Sequence, residues 1–115
     1  MPCRRPIPDI LEHPWLIVIR PADANEVTEA WKSILQLHHE PAVLVLSRQA
    51  VPTIDRKKYA AASGLTRGAY VLADGQGADP EVILIGTGSE VALCLRAYEK
   101  LSKEGVRVRV VSMPS

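Results

Sequence analysis

Two short strings in this 115-residue sequence carry residue types that hold anions. The first is Gly86-Thr87-Gly88-Ser89-Glu90, set between an aliphatic run and a helical one. Glycines there let a backbone approach a phosphate, and a helix N-terminus favours negative charge. The details argue the other way: position 91 is valine rather than a third glycine, no lysine follows, and Glu90 brings its own negative charge. A tight strand-to-helix turn, with Thr87 and Glu90 as a capping box, accounts for the same residues. The second string, Ser47-Arg48-Gln49, falls just past the carboxyl end of an aliphatic run, the edge of an α/β sheet where ligands bind. Arg48 there can grip a phosphate or carboxylate with paired N–H donors, or pair with an acidic surface neighbour. Position alone leaves both readings open.

The remaining reactive side chains offer less. His13 sits in a proline-flanked loop, and His38-His39 ends a helical run, where cations complement the helix dipole. Adjacent helical residues point in different directions, so the pair is no chelate. Cys94 falls on an apolar helical stripe and reads as a small core residue, while Cys3 reads as exposed and incidental. Arg107 and Arg109 read as one face of a strand. No Ser-His-acid grouping or paired-carboxylate catalytic site can be argued from spacing.

The elements that must position these residues follow from hydrophobic periodicity. Leu16-Ile17-Val18-Ile19 is an apolar run of strand length that stops at Arg20-Pro21. Asp23 reads as a helix N-cap with Glu26 three residues on, as in a capping box. Val27, Ala30, Trp31, Ile34, Leu35 and His38 then recur at helical spacing, and the helix should end before Pro41. Ala42-Val43-Leu44-Val45-Leu46 is the next buried strand. From Val51 to Gly68 periodicity fails, which predicts a linker or extended surface segment. Tyr70-Val71-Leu72 is a short strand candidate, and Gly75–Pro80 reads as a turn-rich loop. Val82-Ile83-Leu84-Ile85 is a buried strand, followed by a helix with the stripe Val91, Cys94, Leu95, Tyr98 and Leu101, and Gly105 closes it. Val106, Val108 and Val110 alternate with Arg107 and Arg109 in a last strand. The pattern predicts an α/β fold: two incomplete three-layer βαβ units of parallel-sheet type joined by a linker.

Composition narrows the function classes. Hydrophobic residues make up 47% of the chain and mean hydropathy is near zero, as in a soluble globular protein. Fourteen Lys and Arg against 13 Asp and Glu leave a net charge of +1, so neither a nucleic acid nor an anionic membrane is an expected partner. No apolar run approaches the roughly 18 residues of a membrane span, and no apolar stretch backs the charges of Met1–Arg5 as in a secretory signal. Two cysteines suit a reducing compartment, so a cytoplasmic location is expected. Phe is absent, so the core must be aliphatic. Length alone predicts one small domain, whereas the pattern reads as parts of two.

Specific strings add a resemblance. Val18-Ile19-Arg20-Pro21-Ala22-Asp23-Ala24-Asn25-Glu26, Ala30-Trp31 and Leu46-Ser47-Arg48-Gln49 with Pro52 resemble the pyrimidine-binding middle domain of transketolases. Gly68-Ala69-Tyr70-Val71-Leu72, the run from Val82 to Val91, and Val108-Arg109-Val110-Val111-Ser112-Met113-Pro114-Ser115 resemble the opening of that family's C-terminal domain. The strings keep the family's order and spacing over residues 14–115. The resemblance divides the chain into residues 1–52, the end of the middle domain; 53–68, an inter-domain linker; and 69–115, the start of the C-terminal domain.

The resemblance implies a thiamine-diphosphate enzyme that moves a two-carbon ketol unit between sugar phosphates, with Mg2+, at a dimer interface. Arg48 matches the arginine that contacts the sugar phosphate, and the Gly-Thr-Gly-Ser-Glu turn takes no catalytic part. The departures matter equally. The metal-binding Gly-Asp-Gly…Asn segment, the glutamate that activates the aminopyrimidine and the Gly-Glu-Asp-Gly-Pro-Thr-His-Gln-Pro segment are missing from this sequence, and only Pro6-Ile7 echoes the last. His13 inherits no role, and no catalytic, cofactor-binding or metal-binding residue is carried over. The chain is therefore expected to be an inactive transketolase fragment that binds neither thiamine diphosphate nor Mg2+ alone. Two alternatives stand beside it: a non-catalytic assembly or dimerisation module docking on complementary transketolase domains, and a small phosphate-binding α/β module using Gly86–Ser89 and Arg48.

Overall fold

The computed structural model describes residues 14–75 and 79–115. The readings of Cys3, His13, Pro6-Ile7 and the middle of the Gly75–Pro80 loop lie outside them. In chain order the elements are β1 (Ile17–Ile19), α1 (Ala24–Ile34), β2 (Ala42–Leu44), a 3-10 helix (Ala62–Arg67), β3 (Tyr70–Asp74), β4 (Val82–Gly86), α2 (Glu90–Lys103) and β5 (Val108–Ser112). No helix among the described residues is long and apolar enough to cross a membrane.

The first unit is β1-α1-β2, with its two strands parallel and Ile17, Val18 and Ile19 opposite Ala42, Val43 and Leu44. Helix α1 begins where the sequence places it, because the Asp23 side chain accepts from the Glu26 backbone N–H. Only half of the expected box forms. The Glu26 carboxylate reaches one residue further back, to the N–H of Ala22. The helix ends at Ile34, earlier than the stripe suggests, in turn bonds from Gln36 to Ser33 and from Leu37 to Ile34. His38 therefore lies beyond the helix. The inward face carries Glu26 and Ala30, while Trp31 and Leu35, one helical step aside, are exposed.

The second unit is a three-stranded sheet in the order β3-β5-β4. β4 and β5 are parallel and joined through α2, as the βαβ pattern predicts. β3 is antiparallel to β5, so this sheet is mixed rather than purely parallel. A register shift between Val71 and Ala73 lets Leu72 and Ala73, consecutive in sequence, both lie buried. On β5, Val108, Val110 and Ser112 face inward, and Arg109 and Val111 face out.

The segment without periodicity is not an extended surface run. Ile54 is buried, and the 3-10 helix buries Ala62, Gly64 and Leu65. Leu65 packs with Ile19 and Ala30 of the first unit, and Ile54 joins Ala22, Tyr70, Leu72, Val91, Leu95 and Val110 in the larger core. This core is aliphatic apart from Tyr70, as the absence of Phe requires. Its members come from both units, so each incomplete half covers part of the other. Close packing here is specific: a Cβ on Gly64 would stand 2.4 Å from Cγ of Tyr70. Replacing Gly64 by alanine is expected to push the Tyr70 ring out of place and cost about 1–3 kcal/mol, read as a lower urea midpoint. An unchanged midpoint would show that the ring has room to move.

Candidate functional site

The structure holds two polar sites, one buried and one at the strand ends. In the first, Asp23 and Glu26 are buried carboxylates, 2% and 0% exposed. Asp23 Oδ1 accepts from the Glu26 N–H and from Arg56 Nη2, each at 2.9 Å, and its Oδ2 accepts from the N–H of Ile54 at 2.9 Å. Glu26 Oε1 accepts from the Tyr70 hydroxyl at 2.6 Å and the Ser112 hydroxyl at 2.7 Å. Its Oε2 takes the N–H of Ala22 at 2.7 Å. Arg56 Nη1 donates both to the Tyr70 oxygen and to the carbonyl of Ala60, at 2.9 Å. Every carboxylate oxygen is engaged, so neither group is free to act as a base or to ligate a metal. The cluster is a structural joint between the two units.

Tyr70 is its relay, donating to a carboxylate and accepting from a guanidinium. Burial, and then the hydrogen bond to Glu26, push its hydroxyl pKa well above the ordinary tyrosine value, with Arg56 opposing. Burial alone would lower the Arg56 pKa, but its bonds and charge interactions with Tyr70 and Asp23 outweigh that and raise it.

The second site is the carboxyl edge of the first sheet. The N–H of Val45 donates to the carbonyl of Ile19, which brings the residues after β1 and β2 side by side. Arg20, Ser47, Gly88 and Ser89 line one small cleft there. The Ser47 hydroxyl closes a local turn by donating to the Gln49 carbonyl and accepting the Gln49 N–H. Arg48, at the tip of that turn, is exposed, and among the described residues no carboxylate pairs with it. Among the described residues, the surface ion pair that would have explained it structurally is absent. Its planar donors are open to an anion from solvent.

The glycine turn is organised differently. Gly88 takes φ +56°, which its lack of a side chain permits, and its N–H donates to the Arg20 carbonyl. The N–H groups of Glu90 and Val91 close onto the carbonyls of Thr87 and Gly88. The expected Thr87–Glu90 capping box does not form: the N-cap is Ser89, in helical conformation, and no side chain caps it. Backbone turn bonds replace it. With these donors engaged internally, the turn ties the second sheet to the end of β1.

Other candidates stay apart. The His38 and His39 rings are 6.4 Å apart, tilted and exposed. Cys94 is half-buried against the core, where burial and then Glu90 push its thiol pKa up. Arg109 pairs with Asp74 and Arg107 with Glu81. No three His, Cys, Asp or Glu side chains converge among the described residues. With Asp23 and Glu26 saturated by protein donors, these residues do not fit a resident Mg2+. Periodicity and spacing did not single out Arg56 or Tyr70, and they read Asp23 and Glu26 only as caps. The one hint was acidic residues on an otherwise apolar face.

The chain is thus an α/β protein with a mixed sheet, a strand-end arginine and an internally bonded glycine turn. A family model of the transketolase-like TK C-terminal domain matches residues 68–115. The chain is 51% identical over 100 residues to a transketolase of Aquifex aeolicus, covering 87% of this chain and 14% of that protein. It is 48% identical over 102 residues to a transketolase of Geobacillus stearothermophilus, covering 89% of this chain and 15% of that one. Among solved structures, a Pichia stipitis transketolase complexed with sedoheptulose-7-phosphate superposes with a TM-score of 0.78 at 34% identity, over 93% of this chain and 15% of that chain. A Leishmania mexicana transketolase gives 0.76 at 40% identity, over 88% and 14%. The chain belongs to the transketolase family, and spans 14–15% of the length of these relatives.

The relay makes a pH prediction. Because Tyr70 is harder to ionise folded than unfolded, its contribution is complete below the ordinary tyrosine value of about 10 and is lost as pH rises past it. Replacing Tyr70 by phenylalanine should cost about 1–3 kcal/mol near neutrality and flatten this alkaline loss. Urea midpoints of both proteins between about pH 9 and about pH 11 test it. Parallel declines would remove Tyr70 from the account.

Proposed function

We propose that the chain works as part of a transketolase, the enzyme that transfers a two-carbon ketol unit from a ketose phosphate to an aldose phosphate, and that Arg48 holds the substrate's phosphate group. The supporting observation is the exposed Arg48 at the sheet's carboxyl edge, without a carboxylate partner among the described residues. A sugar phosphate is the anion bound by the Pichia stipitis relative. On this reading residues 1–52 end the pyrimidine-binding domain, 53–68 link, and 69–115 open the C-terminal domain. The chain would act in the cytoplasm, in pentose phosphate metabolism.

Thiamine diphosphate with Mg2+ supplies the carbanion chemistry of the family. The described residues present no donor set for that cation, so those groups come from complementary transketolase segments, in a homodimer or as separate domains. The role of this chain is to orient a sugar phosphate and to hold the two domains in register. Arg48 would do the first. The Asp23–Glu26–Arg56–Tyr70–Ser112 cluster would do the second.

The purified chain alone should show no ketol transfer in a coupled sugar-phosphate assay and no saturable thiamine-diphosphate binding. Turnover by the chain alone, with contaminating enzyme excluded, would overturn the reading. In enzyme assembled from this chain and complementary transketolase segments, Arg48→Ala should raise KM for the sugar phosphate about 10–100-fold with a smaller change in kcat. That range follows from losing charged hydrogen bonds worth about 1.5–3 kcal/mol. An unchanged KM would remove Arg48 from the site.

A further inference from the structure

β1 stops before Arg20-Pro21, and the proline holds Arg20 extended. Ile19 faces the core, so the next side chain faces out. The Arg20 backbone is fixed on both sides by the second unit. Its N–H donates to the Pro114 carbonyl at 2.7 Å, and its carbonyl accepts from the Gly88 N–H at 3.1 Å. The side chain lies along the glycine turn: a Cβ on Gly88 would stand 3.7 Å from Arg20 Cβ, Nε and Nη2. Yet the guanidinium is unspent. Arg20 is exposed, and among the described residues no carboxylate pairs with it.

The same edge carries Arg48. Parallel pairing runs on past β1, where the Val45 N–H donates to the Ile19 carbonyl, so Arg20 lies beside the run that leads into Ser47-Arg48. Arg20, Ser47 and Ser89 line one cleft of about 30 Å³, room for a water-sized group. No acidic side chain lines it, and Glu90 lines the neighbouring cleft with Arg96. The Ser89 side chain caps no N–H of α2. Two unpaired guanidiniums at one sheet edge repel each other, and an anion between them converts that repulsion into two charge-assisted grips.

We propose that Arg20 is a second phosphate-binding residue, so that the substrate's phosphate group is held between the Arg20 and Arg48 guanidiniums. One phosphate oxygen enters the cleft between Ser47 and Ser89, and the sugar stays outside it. This second grip rests on the reading of Arg48 above and adds a coupling to it. Arg20 is placed by bonds to Pro114 and Gly88, so the full phosphate site exists only while the two units are in register.

Inorganic phosphate titrated into the 115-residue chain, followed through the arginine Nε–H signals by nuclear magnetic resonance, tests the shared grip. The Arg20 and Arg48 signals should move along one saturating curve. Arg48→Ala should weaken the response at Arg20 about 10-fold, as loss of one of two charged donors predicts. Arg96→Ala, in the neighbouring cleft, should leave both signals unchanged. An Arg20 signal that stays still, or two curves with different midpoints, would overturn the proposal; Arg48 moving alone would leave its own reading intact. In enzyme assembled from this chain and complementary transketolase segments, Arg20→Ala should raise KM for a ketose phosphate about 10-fold and leave KM for the same ketose without its phosphate unchanged. Arg20→Lys, which keeps the charge, should recover part of the loss, and circular dichroism checks that both variants fold. Equal rises for both sugars would make Arg20 a structural residue and overturn the proposal. A shared phosphate curve in a chain whose assembled enzyme transfers no ketol unit would sink the transketolase reading and leave the paired arginines standing as an anion site.

Discussion

The arrangement of this chain depends on one buried carboxylate. Glu26 is fully enclosed, and its two oxygens accept from Tyr70 at the start of β3, Ser112 at the end of β5 and Ala22 just before the N-cap of α1. Those donors lie 44 and 86 residues ahead of it and 4 behind. A single side chain thus bridges two sheets that share no strand. Asp23 extends the joint to Ile54 and Arg56, which pins the connecting segment over the seam.

Such a joint gives specificity more readily than stability. Moving two carboxylates out of water is expensive, and among the described residues one guanidinium supplies the only countercharge in the cluster. Neutral donors, the Tyr70 and Ser112 hydroxyls and backbone N–H groups, carry the rest. The cost of a misplaced donor is the gain in definition: sliding either sheet by one residue would leave a buried carboxylate unpaired, a penalty of several kcal/mol. An apolar interface of the same shape would tolerate such a slip. Arg56 Nε, which finds no acceptor among the described residues, marks where even this network stays incomplete.

What could be read from the sequence was local. The strand read at Leu16–Ile19, the Asp23 cap, the strand read at Val82–Ile85 and the α2 stripe follow from contacts within a few residues, and the structure has all four, with the strands at Ile17–Ile19 and Val82–Gly86. The shortfalls share a cause. The antiparallel placement of β3, the burial of Ile54 and Leu65 and the Tyr70 relay depend on partners tens of residues away, which no periodicity encodes. The 3-10 helix hides in a run of small residues because Gly64 is chosen by the Tyr70 ring lying on it, not by its own neighbours. Thr87 and Glu90 had the right spacing for a box, yet Gly88 bends the backbone through positive φ and hands the N-cap to Ser89. Arg48 was legible as a residue at a strand end, while the absence of an ion-pair partner for it among the described residues needed the structure.

The contrast between the glycine string and the arginine string explains why one is a fastening and the other is left exposed. Both lie at carboxyl ends of parallel strands, the edge where α/β sheets expose backbone and bind ligands. Within Gly86–Glu90 the Glu90 N–H closes onto the Thr87 carbonyl, and the Gly88 N–H reaches across to the carbonyl of Arg20, just past β1. The bond that would have met a phosphate meets the neighbouring unit instead. At Ser47–Gln49 the local turn closes on the Ser47 hydroxyl, and the guanidinium is left outside it. One edge is consumed in holding the halves together, which is the condition for the other to stay open at a fixed place.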